Sequence, residues 1–390
     1  MIVRIPVNPD LLVWARETAG YSVADTAARF KKDEEEIRKW ESGDTVPTIN
    51  QLRVLAEFYR RPLGVLFRSE RPQDRRLPRD FRRTPGTFRV SRQPEVIAEL
   101  RSAQERREIA LDLYQELGEE LPPFALSAQL DENPEVVGAR IRQALGVTVA
   151  EQFRWRDFYV AFNTWRERIE AQNVLVFQFS RIASEKMRGY SLAERDISVI
   201  GVNRGEPPQA RCFSLLHEFT HLLLRVSGVC DFAEDDQPPE EQRIEIFCNA
   251  VAAAALMPMG DFLQENLVSP YPRRPRDWDE DTIAALARRY KVSRDATARR
   301  LYTANLATRE FYVRKHRQYL AEARARKEEQ QDIAIGEKGG NKAAALLGTA
   351  YGRLVLASYY QDIITLRDVS SYLGMKLSYL GDFERAIGMA

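Results

Sequence analysis

Two histidines and a glutamate in the middle of the chain have the spacing of a metal-binding helix. The stretch from Arg211 to Leu224 reads RCFSLLHEFTHLLL and contains an H-E-x-x-H pattern at His217, Glu218 and His221. Residues four apart lie on one face of a helix, so the two imidazoles can bind one metal ion while Glu218 lies beside them. The flanking residues are almost all apolar, which predicts a buried helix. Burying two imidazoles and a carboxylate is costly unless something pairs with them, and Zn²⁺ is the simplest partner.

A third protein ligand is expected downstream, because catalytic zinc usually has three protein ligands and one open position. Glu245 is favoured because it lies on a predicted helix of small and apolar residues from about Glu240 to Leu256, where a lone carboxylate is costly to bury. Asn249, one turn later, shares that face and could hydrogen-bond a histidine ring and fix its tautomer. The candidates weighed for this ligand are Asp231, Glu234, Asp235, Asp236, Glu240, Glu241 and Glu245.

Three other interpretations of these residues stay open at this point. The pentapeptide could occur by chance, with histidines that make ordinary core hydrogen bonds. Glu245 could face solvent on an amphipathic helix. Cys248, three residues later, could be a fourth ligand, which would close the site and make the zinc structural; free cysteine more often packs as a small apolar group.

Composition describes a globular chain with room for two or three domains. The 390 residues are 44% hydrophobic and 29% charged, and the net charge of +1 predicts neither a nucleic-acid nor a membrane surface. The three cysteines form no CxxC pair, which favours a reducing cytoplasm over a disulfide framework. No apolar run of about 18 residues and no signal-peptide pattern is present, so we expect a cytoplasmic protein without a membrane partner.

The first 70 residues are predicted to form five short helices. Ser22 with Asp25 and Thr48 with Gln51 have the spacing of capping boxes, Gly43 is placed to end a helix that starts at Glu34, and residues 62–67 are the fifth helix. Two short helices joined by a tight turn in a small all-helical domain indicate a helix-turn-helix.

The motifs of this segment resemble the XRE-type repressor family. They are Ala15-Arg16-Glu17, Trp40-Glu41-Ser42-Gly43, Pro47-Thr48 and the stretch from Gln51 to Ala56. The resemblance implies that the helix from Glu34 lies in the DNA major groove. However, four acids in a row, Asp33 to Glu36, stand at the start of that helix, and residues 1–70 hold eleven basic and eleven acidic side chains. DNA binding, with Lys31, Lys32, Arg38 and Lys39 as candidate phosphate contacts, therefore competes with a dimerisation or docking role.

The remaining chain is predicted to divide into a connector, a mixed domain and a helical end. Residues 71–93 are an arginine- and proline-rich linker, and residues 94–310 hold long helices and strands at 174–179 and 197–203, with a third strand near 187–191. An edge of this sheet could pair with an extended substrate backbone. Residues 311–342 are predicted to form a charged helix, with a solvated His316, and a flexible linker. Residues 343–390 are predicted to form a small helical module of unassigned role.

The combined motifs resemble the ImmA/IrrE family of bacterial zinc metallopeptidases. These motifs are the H-E-x-x-H pattern, the stretch from Glu245 to Ala252 and Leu256-Met257-Pro258. The connector motif from Leu77 to Arg82 and the XRE-like N-terminus indicate one subgroup of that family. Cys248 and Val251 depart from the residues this family often has and leave the ligand set intact. The resemblance implies a zinc site with one glutamate ligand and a protein substrate that is usually a transcriptional repressor, or an antitoxin-like role beside a toxin.

The expected fold is α+β and mostly helical: a small sheet on the H-E-x-x-H helix, near residues 208–226, and a second ligand helix near residues 240–256. The predicted function is a zinc-dependent regulatory endopeptidase, with His217, His221 and Glu245 as ligands and Glu218 as the catalytic base. The alternative is an antitoxin-like regulator that binds DNA or a toxin and uses the peptidase fold as a scaffold. A homodimer is compatible with either function.

Overall fold

A computed structural model describes residues 7–72, 79–80, 93–122, 124–230, 239–330 and 339–389. The described residues from 7 to 104 form one compact unit, and those from 105 to 389 form another. No helix among them is long and apolar enough to cross a membrane.

Four short α-helices and a 3₁₀ helix build the first unit around one apolar core. Their bounds are α1 Pro9–Thr18, α2 Val23–Phe30, α3 Glu34–Ser42, α4 Ile49–Phe58 and the 3₁₀ helix Leu63–Phe67. Both predicted capping boxes are present, and Gly43 ends α3 at φ 85°. The predicted fifth short helix at residues 62–67 is present as a tighter 3₁₀ helix of five residues.

Aromatic and aliphatic side chains from every helix of this unit meet in its core. Trp14, Trp40 and Tyr59 are buried there with Leu11, Leu52 and Leu66. A bidentate ion pair joins the ends of α1 and α3. Arg16 Nε donates to Glu41 Oε1 over 2.7 Å, and Arg16 Nη2 donates to Glu41 Oε2 over 3.1 Å. The arrangement is the all-helical domain that the capping signals predict.

Helices surround one small sheet in the second unit. Helix α5, Pro94–Leu117, leads into it, and the others are α6 Pro134–Leu145, α7 Val149–Arg154, α8 Phe158–Glu170, α9 Pro208–Leu223, α10 Pro239–Leu256, α11 Met259–Gln264, α12 Glu280–Tyr290, α13 Arg294–Thr303, α14 Arg309–Gln330, α15 Gly339–Leu347, α16 Thr349–Tyr360, α17 Leu366–Tyr372 and α18 Leu380–Ala386, with a 3₁₀ turn at Leu377–Tyr379. The strands are β2 Val174–Phe179, β3 Gly189–Leu192, β4 Ser198–Asn203 and β5 Gly228–Cys230, and Arg79–Asp80 in the connector form a two-residue strand, β1. These elements confirm the predicted α+β class.

The strands of this unit pair in the order β5-β3-β4-β2. Strands β2 and β4 are parallel, with Val174 opposite Ser198, whereas β3 is antiparallel to both β4 and β5. Strands β2, β3 and β4 are buried along their whole length, as expected for a sheet covered on both faces. Strand β3 is paired on both sides, so an extended substrate would have to pair with another strand of this sheet.

The C-terminal helices pack onto the same unit through a buried ion pair on α8. Arg166 Nε lies 3.2 Å from Glu170 Oε1, and Arg166 Nη1 donates to the Ala345 carbonyl over 2.7 Å. Glu170 Oε2 accepts from the Ala350 amide over 3.1 Å. Residues 339–342, which we expected in a flexible linker, begin helix α15 instead, while residues 331–338 lie outside the described part of the chain.

Candidate metal centre

Helix α9 presents the two histidines from successive turns. Pro208 occupies the first turn, where its missing N–H costs nothing, and Cys212, Leu215, Leu216, Phe219, Leu222 and Leu223 bury the helix in the main core. The side chains of His217 and His221 are 0% exposed, and their Nε2 atoms lie 3.2 Å apart. The helix therefore carries two imidazoles to one interior point, as the four-residue spacing predicts.

Helix α10 brings Glu245 to the same point. Its Oε2 lies 3.2 Å from His217 Nε2, its Oε1 lies 3.1 Å from His221 Nε2, and the side chain is 1% exposed. The solvent-facing interpretation of Glu245 is therefore wrong. Asp231, Glu234, Asp235 and Asp236 lie outside the described residues, as does the side chain of Glu240.

Within the described part of the chain, His217, His221 and Glu245 are the one group whose donor atoms converge as metal ligands do. Neither Glu241 nor Cys248 belongs to it. Cys248 is fully buried beside Ile244, and burial raises the pKa of its thiol well above the ordinary value. A buried neutral thiol packs as a small apolar group, which leaves no support for the closed, structural site with Cys248 as fourth ligand.

The donor set fits a zinc ion in its chemistry and in its spacing. Zinc bonds to imidazole nitrogen and carboxylate oxygen over roughly 2.0–2.2 Å, so tetrahedral ligands lie about 3.3 Å apart. The two Nε2 atoms lie 3.2 Å apart, and they lie 3.2 Å from Glu245 Oε2 and 3.1 Å from Glu245 Oε1, respectively. Three side chains could therefore bind one ion, and a tetrahedral zinc ion held by one atom from each would have a fourth position for another ligand.

The charge states of these groups are those that a metal requires. Burial lowers the pKa of His217 and favours the neutral ring, although Glu245 and Asn249 act in the opposite direction. Burial alone would raise the pKa of Glu245, but the facing His217 and His221 outweigh it and hold that pKa far below the usual range. An ionised Glu245 carboxylate beside a neutral His217 ring offers lone pairs, and a cation stabilises such groups in the interior.

Asn249 fixes which nitrogen of His217 points at this centre. Its Oδ1 lies 3.0 Å from His217 Nδ1, and both side chains are buried. With the amide oxygen assigned to that position, it accepts the Nδ1 proton and leaves the Nε2 lone pair directed at Glu245 and His221. Asn249 therefore stands where its spacing on α10 predicts.

Glu218 lies beside the donor group and against strand β3. Its side chain is almost fully buried, and its carboxylate sits directly over the backbone of Gly189. Neither the motif nor its spacing identified Gly189. A single glycine interrupting a strand-like run was the available signal, since it often marks the close approach of another group.

Residues outside the motif set the position of α10, and sequence reasoning missed them. At Gly138 on α6 a Cβ would lie 2.8 Å from the Ala254 Cβ and from the Ala255 backbone nitrogen, so the two helices pack at close range. The C-terminal carbonyls of α10 accept from buried side chains: Arg142 Nη1 bonds to Ala255 O over 2.7 Å, and Gln152 Nε2 bonds to Leu256 O over 3.0 Å. Alanines on a predicted helix were the signal for close packing, but their partner helix lies about a hundred residues away.

The candidate DNA contacts on α3 are engaged with acids of the same helix region. Arg38 pairs with Glu34 over 3.0 Å, Lys39 pairs with Glu35 over 2.8 Å, and Lys32 pairs with Glu36. The fourth candidate, Lys31, adopts φ 53° at the turn between α2 and α3. Ion pairs between residues one helical turn apart therefore cover the surface of α3. They leave little unbalanced positive charge to bind phosphates.

Comparison with known protein families matches both units of the chain. Residues 169–302 match the model of a peptidase family described as the IrrE N-terminal-like domain, and residues 12–66 match a model described as helix-turn-helix. The first match contains α9 and α10, and the two matches together confirm the resemblance drawn from the motifs. No curated protein matches the chain. The chain thus contains a segment similar to a metallopeptidase domain and, before it, a segment similar to a helix-turn-helix domain.

Proposed function

We propose that this chain is a zinc-dependent endopeptidase that cleaves a regulatory protein, such as a transcriptional repressor. One observation carries the proposal: two imidazole nitrogens lie 3.2 Å apart, and each lies 3.1–3.2 Å from one oxygen of the same carboxylate, beside a second buried glutamate. Hydrolytic zinc sites use this arrangement, in which three protein ligands leave a fourth position open next to a general base.

Each residue of the centre has a separate role. His217, His221 and Glu245 hold the ion, with Asn249 orienting the first ring. When bound, zinc polarises the peptide carbonyl and lowers the pKa of a coordinated water to near neutral. Glu218 takes the proton that the attacking water loses and delivers it to the departing amine. Its burial keeps bulk water away from that proton.

The regulatory part of the proposal rests on the attached helix-turn-helix domain. A protease with such a domain can be brought to proteins that work at DNA, and the resemblance to ImmA/IrrE proteins favours a repressor as substrate. The paired charges on α3 favour docking of this domain on a protein, including a second copy of the chain, over tight operator binding.

The test is Glu218→Gln in the full chain, with repressors whose genes lie next to this one as candidate substrates. The amide keeps the shape of the carboxylate but cannot accept the proton, so cleavage should fall at least about a hundredfold while bound zinc is unchanged. Glu241→Gln on α10, a glutamate outside the donor group, is the matched control and should cleave at the wild-type rate. A Glu218→Gln variant that cuts at the wild-type rate contradicts the proposed mechanism.

The second candidate, a regulator that binds DNA or a toxin, draws support from burial of the centre. No more than 1% of the surface is exposed at each of four residues of the centre, which are His217, Glu218, His221 and Glu245. A polypeptide therefore reaches them only after the site opens. Full zinc occupancy without turnover, together with operator binding that weakens steeply with salt, would favour this regulator. Turnover of one repressor with no salt-dependent DNA binding would favour the peptidase.

A further inference from the structure

Strand β3 approaches the metal helix most closely at Gly189. A Cβ placed on this glycine would lie 2.4 Å from Glu218 Oε1, 2.8 Å from its Cγ and 2.9 Å from its Cδ. All three distances are shorter than real Cβ atoms tolerate. The space that a side chain would fill at position 189 is therefore occupied by the Glu218 side chain.

The backbone at Gly189 does not itself call for glycine. It pairs with Val202 on β4 and with Cys230 on β5 in a regular antiparallel ladder. The φ of Gly189 is not in the left-handed region, unlike the φ values of Gly43 and Gly348. Any residue could adopt this extended conformation, and a β-branched one would stabilise the strand better. Glycine leaves space for the Glu218 side chain here, because it has no side chain of its own.

The residue before Gly189 also joins β3 to the metal helix. Arg188 Nε lies 3.6 Å from Glu206 Oε1, and Glu206 Oε2 accepts from Ser214 Oγ over 2.7 Å. Ser214 stands one helical turn before Glu218 on α9, so it lies on the same face. Gly189 thus lies against Glu218 directly, and the preceding Arg188 is linked to the same face of α9 through Glu206 and Ser214.

We propose that Gly189 is a positioning residue whose missing side chain forms the seat of the Glu218 carboxylate. The strand backbone lies where a Cβ would displace Glu218, and β3 is paired with β4 and β5 while its neighbour Arg188 is linked to α9 through Glu206. The seat holds the carboxylate beside the donor group without contacting the ligands themselves. Its consequence for catalysis rests on the function proposed above, whereas the physical coupling between the two residues does not.

A double-mutant cycle on thermal unfolding measures that coupling. The four proteins are the full-length chain, Gly189→Ala, Glu218→Ala and the double variant, each melted with and without one equivalent of zinc. In the presence of Glu218, the added methyl overlaps the carboxylate and should lower Tm by about 4–8 °C. In the Glu218→Ala background the overlap is gone, and the same substitution should change Tm by no more than about 1 °C.

Gly201 supplies the matched control on the neighbouring strand. A Cβ there would lie 2.0 Å from a ring carbon of Tyr190 and meets no atom of Glu218 among its nearest neighbours. Gly201→Ala should therefore destabilise the protein by the same amount with either residue at position 218. Equal Tm losses for Gly189→Ala in both backgrounds would overturn the proposal, since they would make Gly189 an ordinary strand glycine.

Failure to fold is also informative in this design. If Gly189→Ala alone does not fold but the double variant does, the overlap with Glu218 is the cause and the proposal stands. If neither folds, Gly189 is needed for the sheet itself and the proposal falls. Zinc content should stay at one equivalent in every variant that folds. None of these readouts requires a substrate, so absence of peptidase activity would contradict the proposed function and leave the seat intact.

Discussion

The amide oxygen of Asn249 lies 3.0 Å from Nδ1 of His217 across the interface of helices α9 and α10. This contact decides the tautomer of one ligand, because a ring that donates from Nδ1 must present its lone pair at Nε2. The two helices are thus joined at the donor group twice, once through this hydrogen bond and once through Glu245.

Asn249→Ala should weaken zinc binding about 10–100-fold, because the ring of His217 loses the partner that orients it. Competition with a fluorescent chelator measures the change in affinity. Asn203→Ala is the control: it removes an equally buried amide, which bonds to the Ile182 and Met187 carbonyls away from the donor group, and should leave zinc affinity unchanged. Equal losses in both variants would show that Asn249 acts through general stability alone.

The three histidines should separate in an NMR titration of the zinc-loaded protein. A ring nitrogen bound to zinc cannot take up a proton, so His316, whose Nδ1 lies 2.9 Å from Asp295 Oδ1, should be the histidine that titrates. That hydrogen bond raises the pKa of His316 above its ordinary value, and Asp295→Asn should lower it. The pKa of His316 is higher in the folded protein than in the unfolded chain. The pair with Asp295 therefore stabilises the folded protein at pH values below the unfolded pKa, and this stabilisation is lost as the pH rises through the folded pKa. A second histidine titrating in the same window would contradict zinc ligation by both His217 and His221.

Arg166→Met should cost about 3–5 kcal/mol of unfolding free energy, because it leaves the buried Glu170 without its partner. The double variant Arg166→Met, Glu170→Leu should recover most of that loss, since it buries no charge. Urea unfolding measures both, and limited proteolysis of residues 339–389 should show early cleavage in the single variant only. A double variant as unstable as the single one would show that the carbonyl contacts of Arg166, and not the buried charge of Glu170, dominate.

Local signals in the sequence predicted most elements of this fold. The capping boxes at Ser22 and Thr48 begin helices as expected, and the strand at 174–179 has the predicted ends. The four-residue spacing of His217 and His221 is also a local property, so the ligand pair could be read directly. Glu245 followed from one energetic argument, the cost of burying a lone carboxylate.

What escaped prediction depends on contacts between distant segments. Arg166 and Glu170, four residues apart, resemble an exposed helix pair in sequence, yet they are buried because the α15–α16 segment covers them. Gly189 carries no chemistry of its own, and its role exists only once β3 lies against α9.

Anomalous scattering at the zinc absorption edge, from crystals of the zinc-loaded full chain, tests the central claim most directly. We expect one peak bonded to Nε2 of His217, Nε2 of His221 and a carboxylate oxygen of Glu245, each over about 2.0–2.2 Å, with the fourth position filled by no protein atom. A peak that includes the Cys248 sulfur, or no peak between these three side chains at saturating zinc, would contradict a hydrolytic metal centre in this protein.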